Sequence, residues 1–498
     1  MEFKTKPYKH QLEDYERFRR NEVYALLSEM GTGKTWIVIN DIADLWSSDN
    51  CSDVLVIAPN GVHTNWTRLE LPKHMPDWVK YKTVNWTANP DKKEKKALDE
   101  IFSGGLNQLT ILAMNHEALQ TKRGQEYAKR FCTMGRNLMI VVDEADSFKN
   151  PSAQRSKALM KLKPFSRWRR IMTGTLINNA PFDAFLPFSF LDEEILGTDS
   201  FFAFKNEYAE MLHREHPLLQ HIKRKNRLRR TPQIIARDEN NKPIYKNLDQ
   251  LSKLIAPYSV HRKLEECVNM PGTISKTLIF SLTKQQIKVY KKAEDECRLV
   301  FENEETPFNK LVAAMKLAQI TSGYYLHPEA EEPVRIDGNN PKLDLMMERV
   351  EKITPASHKI IIWARFRVEI ADIVWRLKNA KIKTVEYHGG IKKKDREKAI
   401  DDFEEGDAQV FVGTPQAGGI GLTLIAAKYV IYFSNDFSSR KRRQSEKRAY
   451  RIGQKKKVIY INIAAKGTID EHIINALMNK QTLSEMIVDK GLALFGEN

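Results

Sequence analysis

Eight residues early in the chain, Ser28-Glu29-Met30-Gly31-Thr32-Gly33-Lys34-Thr35, have the composition of a phosphate cradle. They follow an apolar run, VYALLS (23–28), and precede an apolar helical stretch, WIVINDIADLW. A small-residue loop between strand and helix turns several backbone N–H groups toward one point, and the helix N-terminus adds its positive dipole end. Met30, Gly31, Thr32 and Gly33 would offer that backbone to a nucleoside triphosphate. Lys34 would reach its β- and γ-phosphates, and the Thr35 hydroxyl would bind Mg2+. A strict phosphate loop has glycine at position 28, and Ser28 departs from it. The other half of such a site needs a carboxylate for the metal and a base for water. Asp143-Glu144-Ala145-Asp146 supplies both after the run LMIVV, at a strand end where ligands bind in open α/β sheets. Asp143 would hold Mg2+, and Glu144 would orient and deprotonate the attacking water.

These groups need rigid elements to aim them. VYALLS (23–28), VLVIAP (54–59), LTILAM (109–114), LMIVVD (138–143) and RIMTGT (170–175) read as parallel strands buried on both faces, with amphipathic crossover helices between them. The rhythm returns in KIIIWA (359–364), KTVEYH (383–388), QVFVGT (409–414), YVIYFS (429–434) and VIYINIA (458–464). Two doubly wound α/β units follow: residues 1–190 and 341–498, joined by a mostly helical insertion and connector over 191–340. The connector includes a strongly basic stretch, HIKRKNRLRR (221–230), equally suited to duplex phosphates or to a solvated helix face. The last stretch, TIDEHIINALMNKQTLSEMIVDKG, has the pattern of an amphipathic helix packing on the second unit.

At 498 residues the chain exceeds one ordinary core. Lys and Arg total 80 against 64 Asp and Glu, a formal charge of +16, which favours a polyanionic partner but also describes a plain basic surface. Cys51, Cys132, Cys267 and Cys297 form no CxxC pair, so neither a zinc ribbon nor a disulfide framework is indicated. The opening residues lack a secretory h-region, and no apolar run is long enough to span a bilayer. A reducing, cytoplasmic setting without a membrane is expected. His358 and Trp168 read as surface or packing residues rather than ligands.

With both halves of the nucleotide site in place, the chain resembles helicase superfamily two, specifically the Swi/Snf-type ATPases that include chromatin-remodelling motors. Ser28 to Thr35 resembles that family's DEMGLGKT, and Pro7-Tyr8-Lys9-His10-Gln11 its adenine-reading segment, which implies that Gln11 contacts the base. VLVIAPNGVHTNWTRLE is similar to motif Ia, with Asn65-Trp66 as the matching pair. ILAMNHEAL matches a DNA-contacting strand, and DEADSFKN the family's DEAH-plus-KN segment, with Asp146 in place of His. Motif III is Thr173 to Asn179, with Leu176 where the family has Pro. Gly418-Gly419-Ile420-Gly421-Leu422-Thr423 resembles motif V. Gln444, Arg448, Arg451, Gly453 and Gln454 complete a QxxxRxxRxGQ motif VI. On a helix, residues three apart share a face, so Arg448 and Arg451 would both point at the γ-phosphate and neutralise transition-state charge.

The resemblance implies two RecA-like lobes, ATP and Mg2+ as cofactors with Gln454 among the ATP-binding residues, and a motor acting as a monomer. Double-stranded DNA would be gripped by its backbone at Asn60, Asn65, Trp66, Asn115, His116, Thr173 and Thr175 in the first lobe. In the second lobe the contacts would be Arg365, His388, Gly389, Thr414, Gly418 and Gly419. Such contacts position without reading sequence. DNA-bound proteins are the natural obstacles for a translocase of this sort, and the bare motor suits a prokaryote or a virus in its host. The DEAD spelling points toward RNA helicases, but those carry HRxGRxGR where this chain has Gln444 to Gln454. A strand-separating helicase would need a wedge that the sequence does not identify. A catalytically inert scaffold would have lost Lys34, Glu144 or an arginine, and all are present.

Overall fold

Continuous apolar runs are stable as strands only when both sheet faces are covered, and in the computed structural model they are. β1 (Val23–Leu26), β2 (Asp53–Ala58), β3 (Tyr81–Asn85), β4 (Leu109–Asn115), β5 (Leu138–Asp143), β6 (Trp168–Met172) and β7 (Ser259–Val260) form one sheet in the order β3-β4-β2-β5-β6-β1-β7. Every pairing in it is parallel. Successive residues point to opposite faces. Ala25, Leu55, Ile57, Ile140 and Val142 therefore enter one hydrophobic core, and Tyr24, Leu26, Val54, Val56 and Val141 the other. Full burial of each such aliphatic side chain contributes about 1.5–3 kcal/mol.

The chain divides into two compact units, Met1–Val268 and Asn269–Asn498. The structure describes residues 2–102, 108–134, 137–174, 180–213, 215–225, 233–239, 243–302, 307–325, 333–418 and 422–479. In the second unit, β8 (Thr273–Phe280), β11 (Lys359–Trp363), β12 (Thr384–Tyr387), β13 (Val410–Gly413), β14 (Ala427–Tyr432) and β15 (Val458–Ala465) form a parallel sheet ordered β12-β13-β11-β14-β15-β8. A two-residue antiparallel pair, β9 (Tyr324–Tyr325) with β10 (Val334–Arg335), lies apart from it.

The fold is thus α/β with two doubly wound parallel sheets. The stretch between residues 190 and 340 is largely helical, with long helices at Lys284–Glu302 and Pro307–Thr321. Besides the β9–β10 pair, it supplies one strand to each large sheet that the sequence pattern did not predict: β7 borders the first sheet and β8 the second. β8 alternates poorly because most of its residues are exposed on an edge. β3 was likewise unforeseen, with only Val84 fully buried among its five residues. Residues 221–225 of the basic stretch belong to the helix Pro217–Lys225, and 226–230 lie outside the described residues. The C-terminal pattern forms the helix Ile469–Met478, and the described residues end at 479. Trp168 is packed, its indole N–H donating to the Asn50 carbonyl (2.8 Å), and His358 lies beside Lys428. Among the described residues no helix is long and apolar enough to cross a membrane.

Candidate active site

The loop between β1 and the helix Lys34–Ser47 turns through two left-handed glycines, Gly31 (φ 87°) and Gly33 (φ 83°). A side chain is strained in that backbone region, and at Gly33 there is no room for one. A Cβ there would lie 1.9 Å from Gln11 Nε2. The loop is held from the side by the helix Lys9–Phe18. His10 Nε2 donates to the Thr32 carbonyl (2.7 Å), and Gln11 Nε2 to the Gly33 carbonyl (3.3 Å). Gln11, expected at the adenine, also accepts from the Tyr8 amide through Oε1 (2.8 Å) and is buried. Lys34 folds back over its own loop, with Nζ donating to the carbonyls of Ser28 (2.6 Å) and Glu29 (3.0 Å). The Thr32 hydroxyl donates to the same Glu29 carbonyl (2.8 Å). Met30 and Thr35 are half-buried around this turn.

At the end of β5, burial pushes the Asp143 carboxyl above its usual range, while the Trp66 indole, the Lys34 ammonium and the Glu144 amide pull it back. Trp66 Nε1 donates to Oδ2 (3.1 Å) and the Glu144 amide to Oδ1 (3.0 Å). Met172 on β6 is paired with Leu26 of β1 on one side and with Asp143 of β5 on the other, so the β1 loop and the β5 end flank the same strand end. Glu144 adopts a left-handed backbone (φ 51°), unusual for a non-glycine. Such strain gathers where a side chain must be aimed. β6 ends between them: the Thr173 amide donates to the Leu26 carbonyl (3.0 Å), and a Cβ on Gly174 would stand 3.2 Å from the Met30 nitrogen. A buried carboxylate with its charge only partly compensated, beside the Thr35 hydroxyl's loop, fits a divalent cation. Asp143 and Thr35 are the residues that would hold it.

The DNA contacts expected in the first unit separate into two groups. Asn60 is exposed, and Asn65 and Asn115 are half-buried, with Asn115 Nδ2 donating to Glu117 (2.8 Å). Trp66, His116 and Thr173, expected at the DNA backbone, are buried in this structure. His116 Nε2 donates to the Asp143 carbonyl (2.8 Å), and its ring meets Phe148 edge-on. Trp66 and His116 therefore hold Asp143, the first at its carboxylate and the second at its backbone carbonyl, an arrangement that no motif spelling signals. Thr175 lies outside the described residues.

In the second unit the helix Ser439–Ala449 ends before Arg451, so Arg448 and Arg451 do not share a helix face as their spacing predicted. They converge by another route, on the segment Leu422–Leu424. Arg448 Nη1 donates to the Leu422 carbonyl (3.3 Å), and its own carbonyl accepts from the Leu424 amide (2.9 Å). Arg451 Nη1 donates to the Thr423 hydroxyl (2.9 Å). Gln454 is taken up by the chain itself and does not present a free amide to a nucleotide. Its Nε2 donates to the carbonyls of Ile425 (2.9 Å), Ala427 (3.0 Å) and Ala449 (3.1 Å), and its Oε1 accepts from the Lys456 amide (2.8 Å). It pins the turn that carries Arg451.

Arg365 lies half-buried with its guanidinium 4.1 Å from the Phe437 ring centroid. His388 is half-buried and Gly389 exposed at the end of β12, and His388 Nδ1 accepts from the Gly390 amide (3.1 Å). The Thr414 amide donates to the Tyr387 carbonyl (3.4 Å), and Gly418 ends the helix Pro415–Gly418. Gly419 lies outside the described residues.

The sequence model of the SNF2-related domain matches residues 17–325, and that of the helicase conserved C-terminal domain matches residues 342–453. An uncharacterized ATP-dependent helicase of Mycoplasma genitalium is 26% identical over 462 residues, covering 92% of this chain and 39% of that protein. The putative ATP-dependent helicase/translocase YwqA of Bacillus subtilis is 24% identical over 472 residues, covering 93% of this chain and 46% of that protein. The chain thus spans less than half the length of either relative. A solved SWI2/SNF2 ATPase core of Sulfolobus solfataricus in complex with dsDNA has 24% sequence identity, with 99% of this chain and 94% of that one covered and a TM-score of 0.41.

Proposed function

The chain belongs to the SNF2-related domain family, and from that premise we propose that it is an ATP-hydrolysing motor that moves along double-stranded DNA without reading its sequence. The observation that carries this reading is that the ends of β1 and β5, which lead into the Lys34 loop and Asp143, flank the end of β6, where Met172 is paired with both Leu26 and Asp143. A cradle for phosphates and a carboxylate for their counter-ion are then within one electrostatic neighbourhood.

In turnover Lys34 leaves the Ser28 and Glu29 carbonyls for the β- and γ-phosphates, and the loop amides take the remaining oxygens. Mg2+, when bound, supplies charge neutralisation on the phosphate oxygens. Glu144, fixed by its constrained backbone, orients a water and accepts its proton as the water oxygen attacks the γ-phosphorus and the bond to the β,γ-bridging oxygen breaks, releasing ADP. Arg448 and Arg451, anchored on Leu422–Leu424, neutralise charge growing on the transferring phosphoryl group. The excess of basic residues and the Gln444-to-Gln454 pattern favour duplex DNA as the track. A monomer working in the cytoplasm and pushing against DNA-bound proteins fits this reading.

The test is the ATPase rate with duplex DNA, single-stranded DNA and RNA side by side. Duplex DNA is expected to stimulate most, and stimulation by RNA alone would overturn the proposal. Unwinding of a forked substrate would favour a strand-separating helicase instead. Glu144→Gln is expected to bind ATP and not turn it over, and Lys34→Ala to do neither. Arg451→Ala is expected to lose about 10³-fold in rate.

A further inference from the structure

A phosphate cradle gains nothing from a carboxylate of its own, since negative charge beside phosphates is repulsive. Glu29 nevertheless sits inside this loop, and its amide and carboxylate bond away from it. Its amide donates to the Arg262 carbonyl (2.9 Å), after the Leu27 amide has donated to the Val260 carbonyl (2.8 Å). Those two bonds extend the β1–β7 pairing past the strand ends. Its Oε2 accepts from the Leu264 amide (3.2 Å), the first residue of the short helix Leu264–Cys267. Its carbonyl accepts from Lys34 Nζ and the Thr32 hydroxyl.

The same segment is tied to the other flank of the loop. The Arg262 guanidinium donates from Nε and Nη2 to the buried Asp14 carboxylate (2.6–3.0 Å) and from Nη2 to Glu13 (3.1 Å). Asp14 lies on the helix that carries Gln11, whose amide holds the Gly33 carbonyl. Residues 259–264 are therefore fastened to both sides of the nucleotide loop, and the first unit ends four residues later at Val268.

We propose that Glu29 and Arg262 are positioning residues that convey the state of the nucleotide loop to the chain leading into the second unit. The inference rests on the ATP-binding reading above. When Lys34 leaves the Glu29 carbonyl for phosphate, the peptide on either side of Glu29 is free to turn its amides inward, as phosphate loops do. The Glu29 amide then withdraws from Arg262, its carboxylate from Leu264, and the 259–264 segment loosens. A carboxylate acting only as an acceptor is replaceable by an amide oxygen, whereas one acting through its charge is not.

Hydrogen exchange of the whole chain, with and without ATPγS and Mg2+, reads this directly at residues 259–268. Nucleotide is expected to speed exchange there by about five-fold, the factor for one capping hydrogen bond. Glu29→Gln should keep the response. Glu29→Ala should exchange fast from the outset and respond little at saturating nucleotide. Arg262→Gln, which leaves the loop's own residues intact, should lose the response while still binding a fluorescent ATP analogue. Nucleotide binding by the wild-type chain with no change at 259–268 would overturn the coupling alone. So would a full response in both Glu29→Ala and Arg262→Gln. No nucleotide binding by the wild-type chain would overturn the ATP-binding reading and this inference with it.

Discussion

The Asp143 carboxylate accepts from the Trp66 indole and the Glu144 amide, and the Trp66 bond is the one a substitution can remove cleanly. Trp66→Phe keeps an aromatic ring in the core but deletes the N–H, leaving a buried carboxylate less well oriented. Loss of an outer partner of a metal ligand typically costs about 10- to 100-fold in metal affinity or activity. A Mg2+ titration of ATPase activity is expected to shift to higher concentration by that order, with the fold intact by circular dichroism. An unchanged Mg2+ dependence would mean that the indole only packs. The sequence motifs already marked Lys34, Asp143 and Glu144, because loop composition and strand ends follow from residue type and order. They did not show that Trp66, His116 and Gln454 bond within their own unit, since a motif string records which residues are present and not which way each side chain turns. Gln454 reads as a polar residue available to a ligand until its three carbonyl partners are seen.

Between elements, the helix that starts at Lys34 is locked to its sheet by a fully buried ion pair. Arg170 Nε on β6 donates to Asp41 Oδ2 on that helix (2.7 Å), and the Tyr24 hydroxyl on β1 donates to the same oxygen (3.0 Å). Neither charge reaches water, so removing one strands the other. Asp41→Ala is expected to lower stability by about 3–5 kcal/mol in denaturant unfolding, while Arg170→Met combined with Asp41→Leu should lose much less. The phosphate loop hangs on this helix, so nucleotide affinity should fall with Asp41→Ala as well. Legibility at this scale followed burial. Strands such as β2 and β5, buried along their length, stood out as unbroken apolar runs. β3, β7 and β8 did not, because edge strands are short or solvated and carry no such run. The helical reading of Arg448 and Arg451 failed for a related reason. A C-cap at Tyr450 is set by the turn that Gly453 (φ 101°) and Gln454 build, not by the spacing of the arginines.

Across the molecule, pH acts through buried carboxyls, and Glu369 in the second unit is the plainest case. Its Oε2 accepts from Ser434 Oγ (2.5 Å) and from the Arg365 and Phe366 amides (both 3.0 Å). Burial nonetheless raises it above the 4.5 of a free glutamate, against the opposing pull of Lys342. A carboxyl raised on folding favours the native state while protonated, and that contribution fades as pH climbs through its folded value. Glu369→Gln cannot ionise. Its melting temperature relative to wild type should therefore rise with pH from about 4.5 and level off once Glu369 is ionised in the folded wild type; a difference independent of pH would refute this.

Each sheet also closes on the strand made farthest from its partner. β1 is synthesised early, yet the edge beside it is covered only when Ser259 and Val260 arrive, and β8 must wait for β15. A nascent first unit thus carries a bare strand edge, with the Leu27 and Glu29 amides unsatisfied, until nearly all of its residues have left the ribosome. Exposed edges of this kind recruit other chains. A fragment ending at Val268 should run as a monomer in gel filtration, whereas one cut just before β7 should associate, so the unit's integrity as it is born depends on its final few residues.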